Sequence, residues 1–193
     1  MSFITERAPP PNRVSKADGP TEHHLTEGAV MLAMAEWLFD QGAGEVAIHP
    51  DGMHLKDFDL PALLRRRGFD HAEPAGRTAA GGLWRRRNQT LTVYSRPGRG
   101  DVVGAVDGES IEIEAKGGIV NTRHPGQTSR LRKHLYEAVG QLLDTRGDAA
   151  RLIAAVPRHP VTEAQAARMA PRCRAAGIEI ALVDGDGQVE TIR

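Results

Sequence analysis

The chain of 193 residues has a single cysteine, Cys173. A disulfide framework is therefore excluded, and a reducing, cytoplasmic compartment is the expectation. No apolar run approaches the roughly 18 residues of a membrane span, so no membrane partner is expected. The first residues also lack the apolar region of a signal peptide. Lysine is scarce, at four residues against 21 arginines, and the formal net charge is zero. That balance excludes a generally basic, histone-like binder. The length is enough for one domain that buries its own core.

The zero net charge hides an asymmetry. Residues 1–60 carry four basic and ten acidic side chains, residues 61–100 nine and two, and residues 101–193 twelve and thirteen. The basic middle is all arginine: Arg65-Arg66-Arg67, Arg77, Arg85-Arg86-Arg87, Arg96 and Arg99. Guanidinium groups fork onto phosphate oxygens, so such a block suits a polyanion. A solvated surface in an arginine-rich chain is the plain alternative, and both readings are open.

Residues 1–20 include Pro9-Pro10-Pro11 and Gly19-Pro20 without apolar period, which reads as a disordered N-terminal arm. The rest, residues 21–193, reads as one domain. A mostly apolar helix is expected over 21–41, with Thr21 as cap and Gly42 as stop. A short strand follows at 45–48 and a second helix at 60–67. Residues 70–90 read as a loop containing Trp84. Extended segments are expected at 90–96, 101–106 and 110–116, then a helix over 129–144 and a strand at 152–156. Thr162 with Gln165 has the pattern of a capping box that opens a further helix. Strands at 178–183 and 189–192 close the chain. Strand, helix, strand near the end implies a parallel crossover, so the fold class is α/β with a mixed β-sheet flanked by helices.

The hairpin carries the chemistry. Asp107-Gly108 favours the positive dihedrals of a tight two-residue turn. With that turn Val106 faces Glu109 and, counting back, Asp101 faces Glu114. Alternation puts Glu112, Glu114 and Lys116 on one face and Ile111, Ile113 and Ala115 on the other. Two carboxylates so placed have Cβ atoms about 5 Å apart. They repel by about 3 kcal/mol at an effective dielectric of about 20. A divalent cation would compensate them, since carboxylates and water suit magnesium or manganese. Lys116 would place an ammonium beside the same ion, to orient or deprotonate a water or to neutralise developing phosphorane charge. Glu-x-Lys alone is common on exposed strands; an acid, a tight turn and Glu-x-Lys in register together are less so.

The residues Gly100-Asp101-Val102-Val103, the Asp107-Gly108 turn and Ile113-Glu114-Ala115-Lys116-Gly117-Gly118 resemble the PD-(D/E)XK nuclease superfamily. The resemblance implies a restriction-endonuclease-like core and Mg2+- or Mn2+-dependent hydrolysis of phosphodiester bonds in DNA, with RNA left open. It further implies that Asp101 and Glu114 hold the metal and that Lys116 assists the attacking water. An acid on the first helix can complete such a site, which points to Glu27; a helix-start acid favoured by the macrodipole is the other reading. Gln141 resembles a glutamine of the family's helix, with a solvated helix face as the alternative. Gly100 stands where the motif's name has proline, and Pro50-Asp51, the literal dipeptide, lies far upstream in an expected turn.

Leu131, Leu135, Ala138 and Leu142 form one stripe of the 129–144 helix, and Arg130, His134, Glu137 and Gln141 form a polar one. The loop over 121–127, with Arg123 and His124, is placed to close over a bound strand. Arg85, Arg86, Arg87, Arg96, Arg99, Arg123 and Arg130 are the candidate phosphate contacts. A homodimer is an expectation from the chemistry of cutting two strands. The competing expectation is a non-catalytic nucleic-acid-binding or protein-interaction module on the same fold. His23-His24 lacks a second ligand pair at zinc spacing, and Cys173 reads as a small buried residue.

Overall fold

In the structure, a computed structural model that describes residues 2–11, 17, 19–50, 58–96, 98–144 and 149–192, Asp107 and Gly108 take φ of +51° and +83°. Both dihedrals are positive, as a tight hairpin twisted like its strands requires. In chain order the elements are β1 (Thr5–Arg7), β2 (Glu22–Leu25), α1 (Glu27–Asp40), β3 (Glu45–Ile48), α2 (Leu60–Arg66), β4 (Asp70–Pro74), β5 (Gly82–Arg86) and β6 (Gln89–Val93). There follow β7 (Val102–Val106), β8 (Glu109–Ala115), β9 (Gly118–Ile119), α3 (Pro125–Asp144), β10 (Arg151–Pro157), α4 (Pro160–Ala175), β11 (Ile178–Val183) and β12 (Val189–Ile192). Among the described residues, these four helices flank a nine-stranded sheet of order β12-β11-β10-β8-β7-β3-β6-β5-β4, and β1-β2-β9 form a smaller sheet. The large sheet is mixed: β8, β10 and β11 are mutually parallel neighbours, β3 is parallel to β6, and the other pairs are antiparallel. No described helix is long and apolar enough to cross a membrane.

Alternation divides the sheet into two faces. Val46, Ile48, Leu91, Val93, Val102, Ile111, Ile113 and Ala115 join the core built on α1. Met31, Leu32, Met34 and Leu38 of that helix are wholly buried, each worth about 1.5–3 kcal/mol of apolar burial. On the other face Ala154, Val156, Ile178, Ile180 and Leu182 pack with Leu135, Ala138 and Leu142 of α3 and with α4. The apolar stripe expected on α3 is thus its buried side.

Several sequence expectations are corrected. Residues 22–25 are not helical: they pair with β1 and β9, so α1 starts later. Its cap is Thr26, whose Oγ1 accepts from the Ala29 N–H at 3.2 Å. The arm expected to be disordered contributes β1. Phe3 is 2% exposed, its N–H donates to Gly185 O at 2.8 Å, and the Arg67 guanidinium lies 4.1 Å over its ring. One buried ring and a short ladder hold a segment whose composition is otherwise that of a tail; residues 12–16 and 18 lie outside the described residues.

Trp84 belongs to β5 rather than to a loop. It is fully buried, its indole N–H donates to Ala80 O at 2.8 Å, and His71 stacks on it at 4.1 Å. The β5–β6 turn is made with Arg87 at φ +53°, a residue that does not announce a turn. The capping box of α4 belongs to His159: Thr162 Oγ1 accepts from the His159 N–H at 3.0 Å, and His159 Nδ1 from the Val161 N–H at 3.1 Å. Gln165 has no part in it. Asp51, of the upstream Pro50-Asp51 pair, lies outside the described residues.

Candidate active site

The hairpin register is the one its turn dictates, with Val106 paired to Glu109 and Val102 to Ile113. The ladder ends there, one residue short of the expected Asp101 and Glu114 pair. Asp101 precedes β7; its N–H donates to Ile113 O at 2.9 Å, and its Oδ2 accepts from the Ala115 N–H at 2.8 Å. The carboxylate thus takes the place of the next backbone acceptor, which fixes where it points. Gly100 explains its departure from proline: it sits at φ +64°, whereas proline is locked near −65°. A Cβ there would lie 2.7 Å from Glu112 Cγ.

β8 turns Glu112 and Glu114, 3% and 7% exposed, away from the α1 core. The next residue of that face, Lys116, is the hub. Its Nζ lies 2.8 Å from Glu114 Oε1, 3.7 Å from Glu27 Oε1 and 3.8 Å from Asp101 Oδ2. Glu27 reaches it because α1 begins against Gly117: a Cβ on Gly117 would lie 2.5 Å from Glu27 N and 2.7 Å from Thr26 C. The four side chains expected from the sequence, Asp101, Glu114, Lys116 and Glu27, are therefore together.

Three carboxylates share one ammonium in a largely buried setting. Burial first, and then the Glu114 charge, push Asp101 up to about 7, against the pull of the Ala115 hydrogen bond and Lys116. Burial acts against the Lys116 charge, but its hydrogen bond to Glu114 and the charges of Glu27, Asp101 and Glu114 outweigh that and hold it above its ordinary value. Without another cation Lys116 is an ammonium, a donor rather than a base. Hard oxygen donors with excess negative charge suit magnesium or manganese. Among the described residues, however, no group of three or more His, Cys, Asp or Glu is gathered closely enough to hold a metal by itself. Asp101 and Glu114 would form a two-carboxylate site completed by water.

The sign of the Asp101 shift has a consequence for stability. Between 3.8 and about 7 the folded state binds more protons than the unfolded one, so stability falls as pH rises through that window, and the loss is complete above it. Asp101→Asn, which keeps an acceptor for the Ala115 N–H, is expected to raise the melting temperature of metal-free protein above about pH 8 and to flatten its pH dependence below. Thermal melts with a chelator across pH check both; a destabilised Asp101→Asn at high pH contradicts them.

The polar stripe of α3 overlooks the cluster. Gln141, Glu137 and Asp144 line a cavity of about 470 Å³ with Lys116. Arg130 and His134 line one of about 240 Å³ beside Glu27 and Gly117. His134 Nδ1 donates to Gly117 O at 2.6 Å. His24 and Gln127 share that second cavity; nothing in their sequence spacing pointed there, because it depends on β2 pairing with β9. The 121–127 loop is anchored rather than free to close: Asn121 accepts from the His23 N–H at 2.8 Å, and His159 Nε2 bonds Thr122 O at 3.0 Å. Arg123 is exposed beside it.

The arginine block does not form one phosphate-binding surface. Arg86 is bonded to Gln89, Glu36 and Arg67 O and lies 4.2 Å over the Phe69 ring. Arg67 pairs with the same Glu36 at 3.0 Å. Arg85 pairs with Glu73 at 3.4 Å. The registers put Arg86 and Arg87 at the level of Glu45 and Val106, the end of the sheet opposite Asp101. Arg96 and Arg99 lie at the Asp101 end and are exposed, as is Arg130. Comparison with family models, curated proteins and solved structures finds no match for this chain.

Proposed function

We propose that this protein is a divalent-metal-dependent nuclease of the PD-(D/E)XK type, on a restriction-endonuclease-like core, that hydrolyses phosphodiester bonds in DNA. The observation that carries the reading is the convergence of Asp101, Glu114 and Glu27 on Lys116 Nζ, within 3.8 Å. Such a cluster has more negative charge than its own lysine balances, beside an open cavity. In this reading Asp101 and Glu114 would hold the metal, and Glu27 keeps Lys116 in place. Bound magnesium or manganese would supply a Lewis acid for the phosphoryl oxygen and an acidified water. Lys116 would donate to an attacking water or to the phosphate and stabilise the charge that builds there. Gln141 supports the same cavity, and Arg96, Arg99, Arg123 and Arg130 hold flanking phosphates.

Purified protein is expected to nick or degrade DNA with Mg2+ or Mn2+ and to lose that activity in a chelator. Inactivity of the wild type with either metal on DNA and RNA contradicts the proposal. One observation favours the second reading, a non-catalytic binding module: the Glu114 and Lys116 contact of 2.8 Å already neutralises one acid without an ion. Calorimetric titration with Mn2+ separates them. No heat of binding, together with unchanged DNA affinity in Asp101→Ala, selects the module.

A further inference from the structure

Resting on that reading, the part of the same sheet face beside Asp101 bears on the form of the substrate. Residues that alternate with the buried Val46, Ile48, Leu91, Val93 and Val102 turn to the face that carries Glu114 and Lys116. Over β8, β10 and β11 that face is covered by α3 and α4; neither helix packs extensively on β7, β3 or β6 among the described residues. His49 and Tyr94 sit at the site end of this stretch, which α3 and α4 leave largely uncovered among the described residues. The His49 N–H donates to Asp101 O at 2.8 Å, and the Tyr94 N–H to Ile48 O at 2.9 Å.

The His49 and Tyr94 rings stack at 4.7 Å and 10°. His49 Nδ1 bonds Arg96 O at 3.2 Å. A Cβ on Gly98 would lie 2.2 Å from the His49 ring, so the loop backbone presses on the imidazole. Tyr94 is thus backed by a fixed ring yet remains 48% exposed, unlike Trp84 and all four phenylalanines, which are buried. Arg96 and Arg99, on the loop that leads to Asp101, are exposed. Tyr94 lies two strands from Asp101, about 10 Å across the sheet.

We propose that Tyr94, backed by His49, is a stacking platform for an unpaired nucleobase close to the scissile phosphodiester, with Arg96 and Arg99 on the adjoining phosphates. A base inside a duplex has both faces covered by its neighbours, whereas an unpaired base offers a free face to an aromatic ring. The substrate therefore enters as a single strand or an unpaired end.

Fluorescence anisotropy with a labelled single-stranded oligonucleotide and a duplex of the same length, in a chelator, tests this. Tyr94→Ala is expected to weaken single-strand binding by about 5- to 150-fold, to leave duplex binding within about twofold, and Tyr94→Phe to retain both. A 5-iodouracil oligonucleotide is expected to photocrosslink to Tyr94. Unchanged single-strand affinity in Tyr94→Ala, or wild-type preference for duplex, overturns the platform. The same proteins assayed for cleavage with Mn2+ keep the two readings apart. No cleavage with the stacking effect intact removes the nuclease and leaves the platform; cleavage without the stacking effect does the reverse.

Discussion

Lys116→Met is expected to lower DNA hydrolysis by roughly 10²- to 10³-fold, the usual cost of removing one donor aimed at developing charge, while Mn2+ binds as tightly or more tightly. The two effects separate because Lys116 competes with a metal for Glu114, 2.8 Å from its Nζ. Removing it leaves the carboxylates with no counter-charge of their own, so a dication is the better partner. A variant that lost activity only through damage to the fold would lose metal binding as well. Single-turnover cleavage and Mn2+ calorimetry on the same preparation check the pair of outcomes. Full activity in Lys116→Met removes the lysine from the chemistry.

Gly117→Ala is expected to cost about 1–3 kcal/mol of stability and most of the activity. The added Cβ would meet Glu27 N at 2.5 Å, Thr26 C at 2.7 Å and Leu25 O at 2.8 Å. These are backbone atoms, so no rotamer relieves the clash and the start of α1 has to retreat, taking the Glu27 carboxylate from Lys116. Gly140→Ala is the control for stability. Gly140 lies in α3 with nothing within 4 Å of a Cβ, and alanine there is expected to stabilise by about 0.4–1 kcal/mol through helix propensity. Denaturant unfolding of both variants checks the signs; equal stability of Gly117→Ala and wild type refutes the close approach.

What the sequence made legible was local. Asp107-Gly108 fixes its turn by backbone preference, and from the turn the hairpin register follows residue by residue to Val102 and Ile113. The last step fails because Asp101 uses its side chain as a ladder acceptor for Ala115, a choice that a periodicity argument has no term for. Glu27 is legible only through the resemblance, as an acid on the first helix, and its reach to Lys116 depends on Gly117, a non-local contact. The arginines do not act as one set. Arg67 and Arg86 are spent on Glu36 and on the Phe3 and Phe69 rings, and charge counting does not distinguish a guanidinium turned inward from one in solvent. Trp84 was lost for a related reason: glycine, alanine and arginine around it mask a two-residue period, and the turn after it uses Arg87.

The small sheet has a consequence for the order in which the molecule is completed. β1 is joined to β2, β2 to β9, and β9 begins one residue beyond Gly117, against which α1 starts, so the seat of Glu27 is braced by β1. Phe3 in turn docks on Gly185 and Gly187. That brace therefore rests on a contact between residues at widely separated positions in the sequence. Contacts this distant along the chain are slow to close, so the placement of Glu27 beside Lys116 is expected to settle late in folding.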